Sequence, residues 1–275
     1  HVVAEKAIQN NVNRRKCRKT GRFMDIAGQL CYNEQNYNRP RRERNVAAMK
    51  GTLIVIEGTD GSGKSTQFQQ LRQRLEREGI SFRNVVFPRY QEESSALIRL
   101  YLSGAFGTKP GDVNPYAASS FFAVDRYASY RQDWGDWYEQ GGLVLCDRYT
   151  TSNAVHQASK LSAEERDTFF RWLYEFEFGK LGLPKPDLVL YLDMPTGASV
   201  SLLRHREAAT HTQADIHERD NAYLAACRET ASHAADVLGW QRIPCTENGQ
   251  VRTVKAIHQD VWNAVKRCLT ETKPV

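Results

Sequence analysis

"GTLIVIEGTDGSGKSTQ" occupies residues 51–67, and its reading decides the fold. The run "TLIVIE" (52–57) is apolar without alternation, the pattern of a strand buried on both faces of a parallel sheet. Gly58 to Ser65 then follows G-x-x-x-x-G-K-[ST], and a helical pattern opens at Lys64, so the motif has the strand–loop–helix setting of a phosphate-binding loop. Its glycines let backbone N–H groups curl around phosphate oxygens, and the helix N-terminus adds its positive end. Lys64 reaches the β and γ oxygens of a nucleoside triphosphate, and Ser65 can hold Mg²⁺. Gly58, Thr59, Gly61, Ser62, Gly63, Lys64, Ser65 and Thr66 are the expected nucleotide-binding set. The loop alone leaves open whether the terminal phosphate is hydrolysed, used as a switch or transferred.

Outward from this loop, apolar strands alternate with helical patterns, as a parallel α/β sheet requires. A helix is predicted over 64–78, with Phe68, Leu71 and Leu75 on one face and Gly79 as its stop. "RNVVFP" (83–88), "GLVLCDRY" (142–149), "PKPDLVLYLD" (184–193), which opens with a turn, and the stretch near "GWQRIP" give four more strands. Ser94 or Ser95 is expected to cap a short helix, Asn114-Pro115 to open a long one, and Ser162 with Glu165 to form a capping box. Further helices are expected over "PTGASVSLLRHRE", 218–237 and 251–269, with a polar segment "AATHTQADIHE" between the first two. The expected architecture is one doubly wound, five-stranded parallel sheet with helices on both faces and ligands at the carboxyl ends of the strands.

The 275 residues suffice to bury a sizeable core. No run of 18 apolar residues offers a membrane span and no apolar signal core opens the chain, so a cytoplasmic location is expected. Six dispersed cysteines without C-x-x-C spacing read as reduced structural thiols. Residues 1–50 carry 12 Lys and Arg against 4 acids, leaving 26 against 28 in the remainder, so the basic charge belongs to the arm. The expected division is a basic, disordered extension over 1–48 and a kinase-like domain over 49–275. The arm reads as sequence upstream of a start at Met49, with nucleic-acid binding and matrix targeting as further readings. No nucleic-acid contact is expected of the domain itself.

The fates of the phosphate need different parts. A guanine-reading N-K-x-D segment is absent, and "LSGAF" is not the L-S-G-G-Q of a transporter ATPase. Arg89, Arg126 and Arg148, with Tyr90 and Phe122, instead fall at strand ends or on facing helices, and guanidinium forks there suit a second phosphate. This points to a phosphotransferase whose acceptor is phosphorylated.

"EGTDGSGKST", "FPRY", "FFAVDRY", "CDRYTTSNA", "GLPKPDLVLYLD" and "DIHERD", in this order, resemble the thymidylate kinases, P-loop nucleoside monophosphate kinases that phosphorylate dTMP to dTDP with ATP. The resemblance implies ATP as donor, Mg²⁺, dTMP as acceptor and a homodimer. It implies that Asp60 lies near the transfer site and the 3′-hydroxyl, and that Arg89 clamps the acceptor phosphate beside Tyr90. Phe122 would stack on thymine, Arg126 donate to its O4, and Asn153 read its N3 edge. Asp147 and Arg148 would stand near Mg²⁺ and the phosphates, and Glu218 would help to organise the metal and acceptor site. Relatives often carry Tyr where His156 and His217 align, at the deoxyribose. Some thymidylate kinases place an arginine inside the P-loop. Thr59, Asp60, Gly61 and Ser62 supply no cation here, so Arg204 or Arg206, at the entry of a lid over 204–215, is expected to reach the moving phosphoryl group.

Two other classes remain beside this one. A kinase for another nucleotide or deoxynucleoside would share the loop, although a nucleoside acceptor would not need Arg89. A nonenzymatic nucleotide-binding protein would predict a damaged catalytic set, whereas Lys64, Ser65, Asp147 and the arginines are all present.

Overall fold

The computed structural model of the chain describes residues 23–24, 30–31, 50–210 and 221–271. The chain separates into two units, His1–Ala47 and Ala48–Val275. In the first, Phe23–Met24 pairs antiparallel with Leu30–Cys31; the expectation for the basic arm otherwise lies outside the described residues.

The second unit is built on five parallel strands, β1 (Thr52–Glu57), β2 (Phe82–Val86), β3 (Leu143–Asp147), β4 (Leu188–Asp193) and β5 (Gln241–Pro244). They lie in the order β2-β3-β1-β4-β5. β1 is central, and both of its faces are covered, which is why its sequence does not alternate. Leu53 and Val55 pack with Val144, Cys146, Val189 and Tyr191 on one face; Ile54 and Ile56 pack with Leu145, Leu190 and Leu192 on the other.

Nine helices are described: α1 (Lys64–Arg77), α2 (Ala96–Leu102), α3 (Pro115–Ser129), α4 (Gly135–Glu139), α5 (Thr150–His156), α6 (Ala163–Tyr174), α7 (Thr196–Thr210), α8 (Asn221–Leu238) and α9 (Val254–Glu271). Phe68, Leu71 and Leu75 of α1, with Val261 and Trp262 of α9, close one face of the sheet. Phe169 and Phe170 of α6, with Cys227 and Ala231 of α8, close the other. The connection from β1 runs to β2 on one side, while the connection from β3 crosses β1 to reach β4 on the other, and this reversal opens a crevice at the carboxyl end of β1.

Several local expectations hold in detail. Asn114 Oδ1 accepts from the N–H groups of Tyr116 and Ala117, and the Ser162–Glu165 capping box forms. Gly79 (φ 68°) ends α1 in left-handed backbone. Others shift. Ser95 stands at the N-cap of α2 but makes no side-chain cap: its hydroxyl is turned to donate to the carbonyls of Arg89 and Glu92, and its oxygen accepts from Arg99 Nη1 at 2.7 Å. β2 ends at Val86, two residues before the expected Pro88, which has no N–H for the ladder. β3 stops at Asp147, not at 149, because Arg148 turns into left-handed backbone with φ 64°. The next residues form α5, which polar "TTSN" did not announce. α7 runs on through Thr210 into the segment expected to be polar loop, and the start of the 218–237 helix before Asn221 lies outside the described residues.

Candidate active site

The phosphate loop follows from β1. Gly61 (φ 77°) and Gly63 (φ 86°) both need left-handed backbone, and a Cβ on Gly58 would lie 2.6 Å from Ser62 Oγ. Lys64 is buried, and its ammonium donates to the carbonyls of Gly58 at 2.5 Å and Thr59 at 2.9 Å, with Asp60 Oδ1 at 3.5 Å. Burial and the neighbouring Arg148 guanidinium lower its pKa. Ser65 and Thr66 face outward into a chamber of about 560 Å³ that also takes in Gly61, Asp147, Arg252 and Ile257. Beneath the loop, Glu57 is fully buried and accepts from the N–H of Gly58 and from the hydroxyls of Thr151 and Ser152. One carboxylate thereby ties the loop to α5.

A second pocket of about 110 Å³ opens beside the first, lined by Tyr90, Phe122, Arg126, Asn153 and His156 among others. Asp60 and Arg148 line both chambers. The left-handed backbone of Arg148 directs its guanidinium onto the Asp60 carboxylate and, at 3.1 Å, onto His156 Nε2. Burial works to raise the Asp60 pKa, but Arg148 and Lys64 outweigh it and hold the carboxyl far below its usual range. Facing a guanidinium, His156 Nε2 can only accept, which leaves the proton on Nδ1 toward the Tyr223 hydroxyl at 3.4 Å.

At the far end, Arg126 is 2 % exposed and bonded to the buried carboxylate of Glu177, which also accepts from Thr150 and Asn153. Phe122 packs edge-on against Tyr101, centroids 6.2 Å apart. The Tyr101 hydroxyl accepts from Lys160 at 2.8 Å, and burial pushes the Lys160 ammonium down to about 8. Gln157, on the same wall, keeps a buried carboxamide oxygen without a partner among the described residues.

Arg89 is placed differently from the other arginines. Its neighbours Pro88 and Tyr90 line the smaller pocket and it does not. Its guanidinium is held by Asp125 at 3.2 Å, Asp133 at 2.6 Å and Ser94 at 3.0 Å. Asp125 is fully buried, whereas the Asp133 side chain is 52 % exposed and so the partner easier to displace. Arg204 and Arg206 lie on the backbone of α7, but their side chains, like Glu218 and His217, lie outside the described residues.

Asp147 ends β3 beside the loop. Its Oδ1 is buried without a hydrogen-bond partner among the described residues, and burial raises its pKa against the pull of Lys64 and Arg148. An uncommitted carboxylate oxygen sharing a chamber with the Ser65 hydroxyl is a donor set that fits a hard divalent cation. Reading along the sequence did not find Glu57, Asp125 or Glu177. Only Glu57 carries a local signal, as a charge ending an apolar strand directly before the loop.

A thymidylate kinase family model matches residues 56–256. The thymidylate kinase of Mycobacterium tuberculosis is 34% identical over 172 residues, 61% of this chain and 78% of that protein. The human thymidylate kinase is 26% identical over 216 residues, covering 78% of this chain and 90% of the relative. Among solved structures, the thymidylate kinase of Candida albicans superposes with a TM-score of 0.59 at 21% identity, over 82% of this chain and 94% of that one.

Proposed function

Because the chain belongs to the thymidylate kinase family, we infer that it transfers the γ-phosphoryl group of ATP to dTMP, giving dTDP. The observation that carries this reading is the pair of chambers meeting at Asp60 and Arg148, one headed by a phosphate loop and the other walled by Phe122, Arg126 and Asn153.

Phosphoryl transfer asks the protein for in-line positioning and for charge around the moving group. The loop N–H groups and Lys64 hold the triphosphate of ATP. For Lys64 this means exchanging the carbonyls of Gly58 and Thr59 for phosphate oxygens. Asp147 and Ser65 are the residues that would hold Mg²⁺, which when bound neutralises phosphate charge. Phe122 stacks on the thymine ring, Arg126 donates to O4, and Asn153 accepts from N3–H. Arg148, already oriented by Asp60 and His156, faces the junction where the two phosphates meet. Arg89 takes the acceptor phosphate by giving up Asp133, keeping Asp125 as its buried anchor. Arg204 or Arg206 supplies the remaining positive charge from the lid, and closure excludes water as a competing acceptor.

Residues 49–275 form the kinase domain, which contains the family match, and the basic arm takes no part in the reaction. The protein works as a homodimer: α2 and α3 pack on each other and expose Leu97, Leu100, Val124 and Tyr127. No helix among the described residues is long and apolar enough to cross a membrane. A cytoplasmic setting suits the four buried free thiols at Cys146, Cys227, Cys245 and Cys268.

A coupled assay of ATP consumption over a panel of nucleoside monophosphates tests the reading. The highest kcat/KM is expected with dTMP, a small loss with dUMP, since one methyl group is worth about 1–3 kcal/mol, and a loss as large as roughly 10⁴ with dCMP. Equal turnover of dTMP and dCMP overturns it.

A further inference from the structure

Glu177 lies in a π-helical stretch, Glu175–Lys180, that continues α6, and none of its surface is exposed. Three side chains meet its carboxylate. Arg126 of α3 donates through Nε at 2.7 Å and Nη2 at 2.6 Å. Thr150 donates at 2.6 Å, and Asn153, from the same helix as Thr150, at 3.3 Å.

The first contact commits one edge of the guanidinium. A carboxylate gripping Nε and Nη2 leaves the remaining N–H groups on the opposite, Nη1/Nη2 edge, of which Tyr149 O takes one at 3.3 Å. Arg126 therefore has donors, and only donors, for the pocket that it lines. Asn153 is committed in the opposite sense. Its Nδ2 donates to Ser119 O at 3.2 Å and to Glu177 at 3.3 Å, two groups that only accept. The amide can take no other orientation beside them, so Oδ1 is the function left to the pocket.

A pyrimidine with a 4-oxo group and a protonated N3 offers an acceptor and a donor, the complement of this wall. A 4-amino pyrimidine offers the reverse. We propose that Glu177 is a positioning residue that sets the hydrogen-bonding polarity of the base pocket, and thereby selects 4-oxo over 4-amino pyrimidine monophosphates. The inference rests on reading Arg126 and Asn153 as the groups that meet the base. No local feature of Glu177 reveals the role, because Arg126 and Asn153 are 51 and 24 residues away in sequence.

Glu177→Gln tests it, with kcat/KM measured for dTMP and dCMP on folded protein. The substitution removes the charge that orients Arg126 and replaces one of the two oxygens, which between them accept from Arg126, Thr150 and Asn153, by an NH2 group that only donates. The ratio of dTMP to dCMP kcat/KM is expected to fall at least tenfold, with KM for dTMP rising more than kcat falls. Should Glu177→Gln not fold, Glu177→Asp keeps the charge but shortens its reach, and the ratio is expected to fall several-fold. A folded Glu177→Gln or Glu177→Asp that loses activity equally on both nucleotides, with the ratio kept within twofold, overturns the proposal, since a purely structural role predicts that result. Asn153→Ala and Arg126→Lys are measured in parallel. If they lower the ratio while the Glu177 variants do not, the role of Glu177 alone is wrong; if none of the four moves it, the assignment of the base readers falls too.

Discussion

A Cβ placed on Gly61 would lie 2.4 Å from the carbonyl oxygen of Ser199, so the tip of the phosphate loop and the first turn of α7 touch backbone to backbone. Gly61 also has φ 77°, where a side chain costs about 1–3 kcal/mol. Gly61→Ala is therefore expected to lower Tm and to raise KM for ATP about tenfold or more, since that much binding energy is at stake. A variant with unchanged Tm and KM would show that loop and helix separate freely.

The same helix carries Arg204 and Arg206, proposed above as the source of charge from the lid. Substituting both Arg204 and Arg206 by Ala is expected to lower kcat by on the order of 10³, as loss of an arginine at a transferring phosphoryl group does, with a weaker effect on dTMP affinity. Single-turnover kinetics separates the two. A kcat within roughly tenfold of the parent is too small a loss for a transition-state contact.

Arg148 combines a strained backbone with a side chain that the proposed reaction places at the transferring phosphates. Arg148→Ala and Arg148→Gly should lose kcat alike, by on the order of 10³. They should differ in stability, Gly being better by about 1 kcal/mol because left-handed backbone penalises a Cβ. Urea denaturation of the two variants measures the difference, and equal midpoints would contradict the strain.

Lys160 gives a pH signature. Its ammonium titrates at about 8 in the folded protein because burial disfavours the charge, against about 10.4 in an unfolded chain. Below pH 8 both states hold the proton. Between the two values the unfolded state binds more protons, so this residue makes stability rise with pH across that window. Lys160→Met abolishes the rise. Its Tm minus that of the parent should be larger at pH 7.5 than at pH 10, and a difference independent of pH would place Lys160 in water.

Removal of residues 1–48 should leave kcat, KM and Tm nearly unchanged, since the family match begins at residue 56. A truncated protein that fails to fold would assign the arm a structural role.

The sheet was legible because burial on both faces leaves unbroken apolar runs, and the phosphate loop because its glycines answer a local geometric demand. Capping was legible at Asn114 and Ser162, where the hydroxyl or amide has no nearer competitor than the helix N–H groups. At Ser95 the hydroxyl turns to two carbonyls and its oxygen accepts from Arg99 instead of a helix N–H. The buried carboxylates were not legible. Asp125 and Glu177 have partners that come from segments distant in sequence, so no spacing announces them. Arg126 is among the most deeply buried large side chains of the described residues, a burial that its helix sequence does not announce. The placement of Arg89 outside the smaller pocket was equally hidden, because Asp125, Asp133 and Ser94, which hold its guanidinium, are spread over separate segments.

On the proposed assignment of the two chambers, Asp60 and Arg148, which line both, link the two substrates thermodynamically through one ion pair. A phosphate that draws Arg148 from one side weakens its hold on Asp60 and so alters what the other side meets. Such a coupling is reciprocal: the factor by which ATP changes the affinity for dTMP equals the factor by which dTMP changes the affinity for ATP. The shared wall can therefore favour one order of loading only through rates, never through free energy.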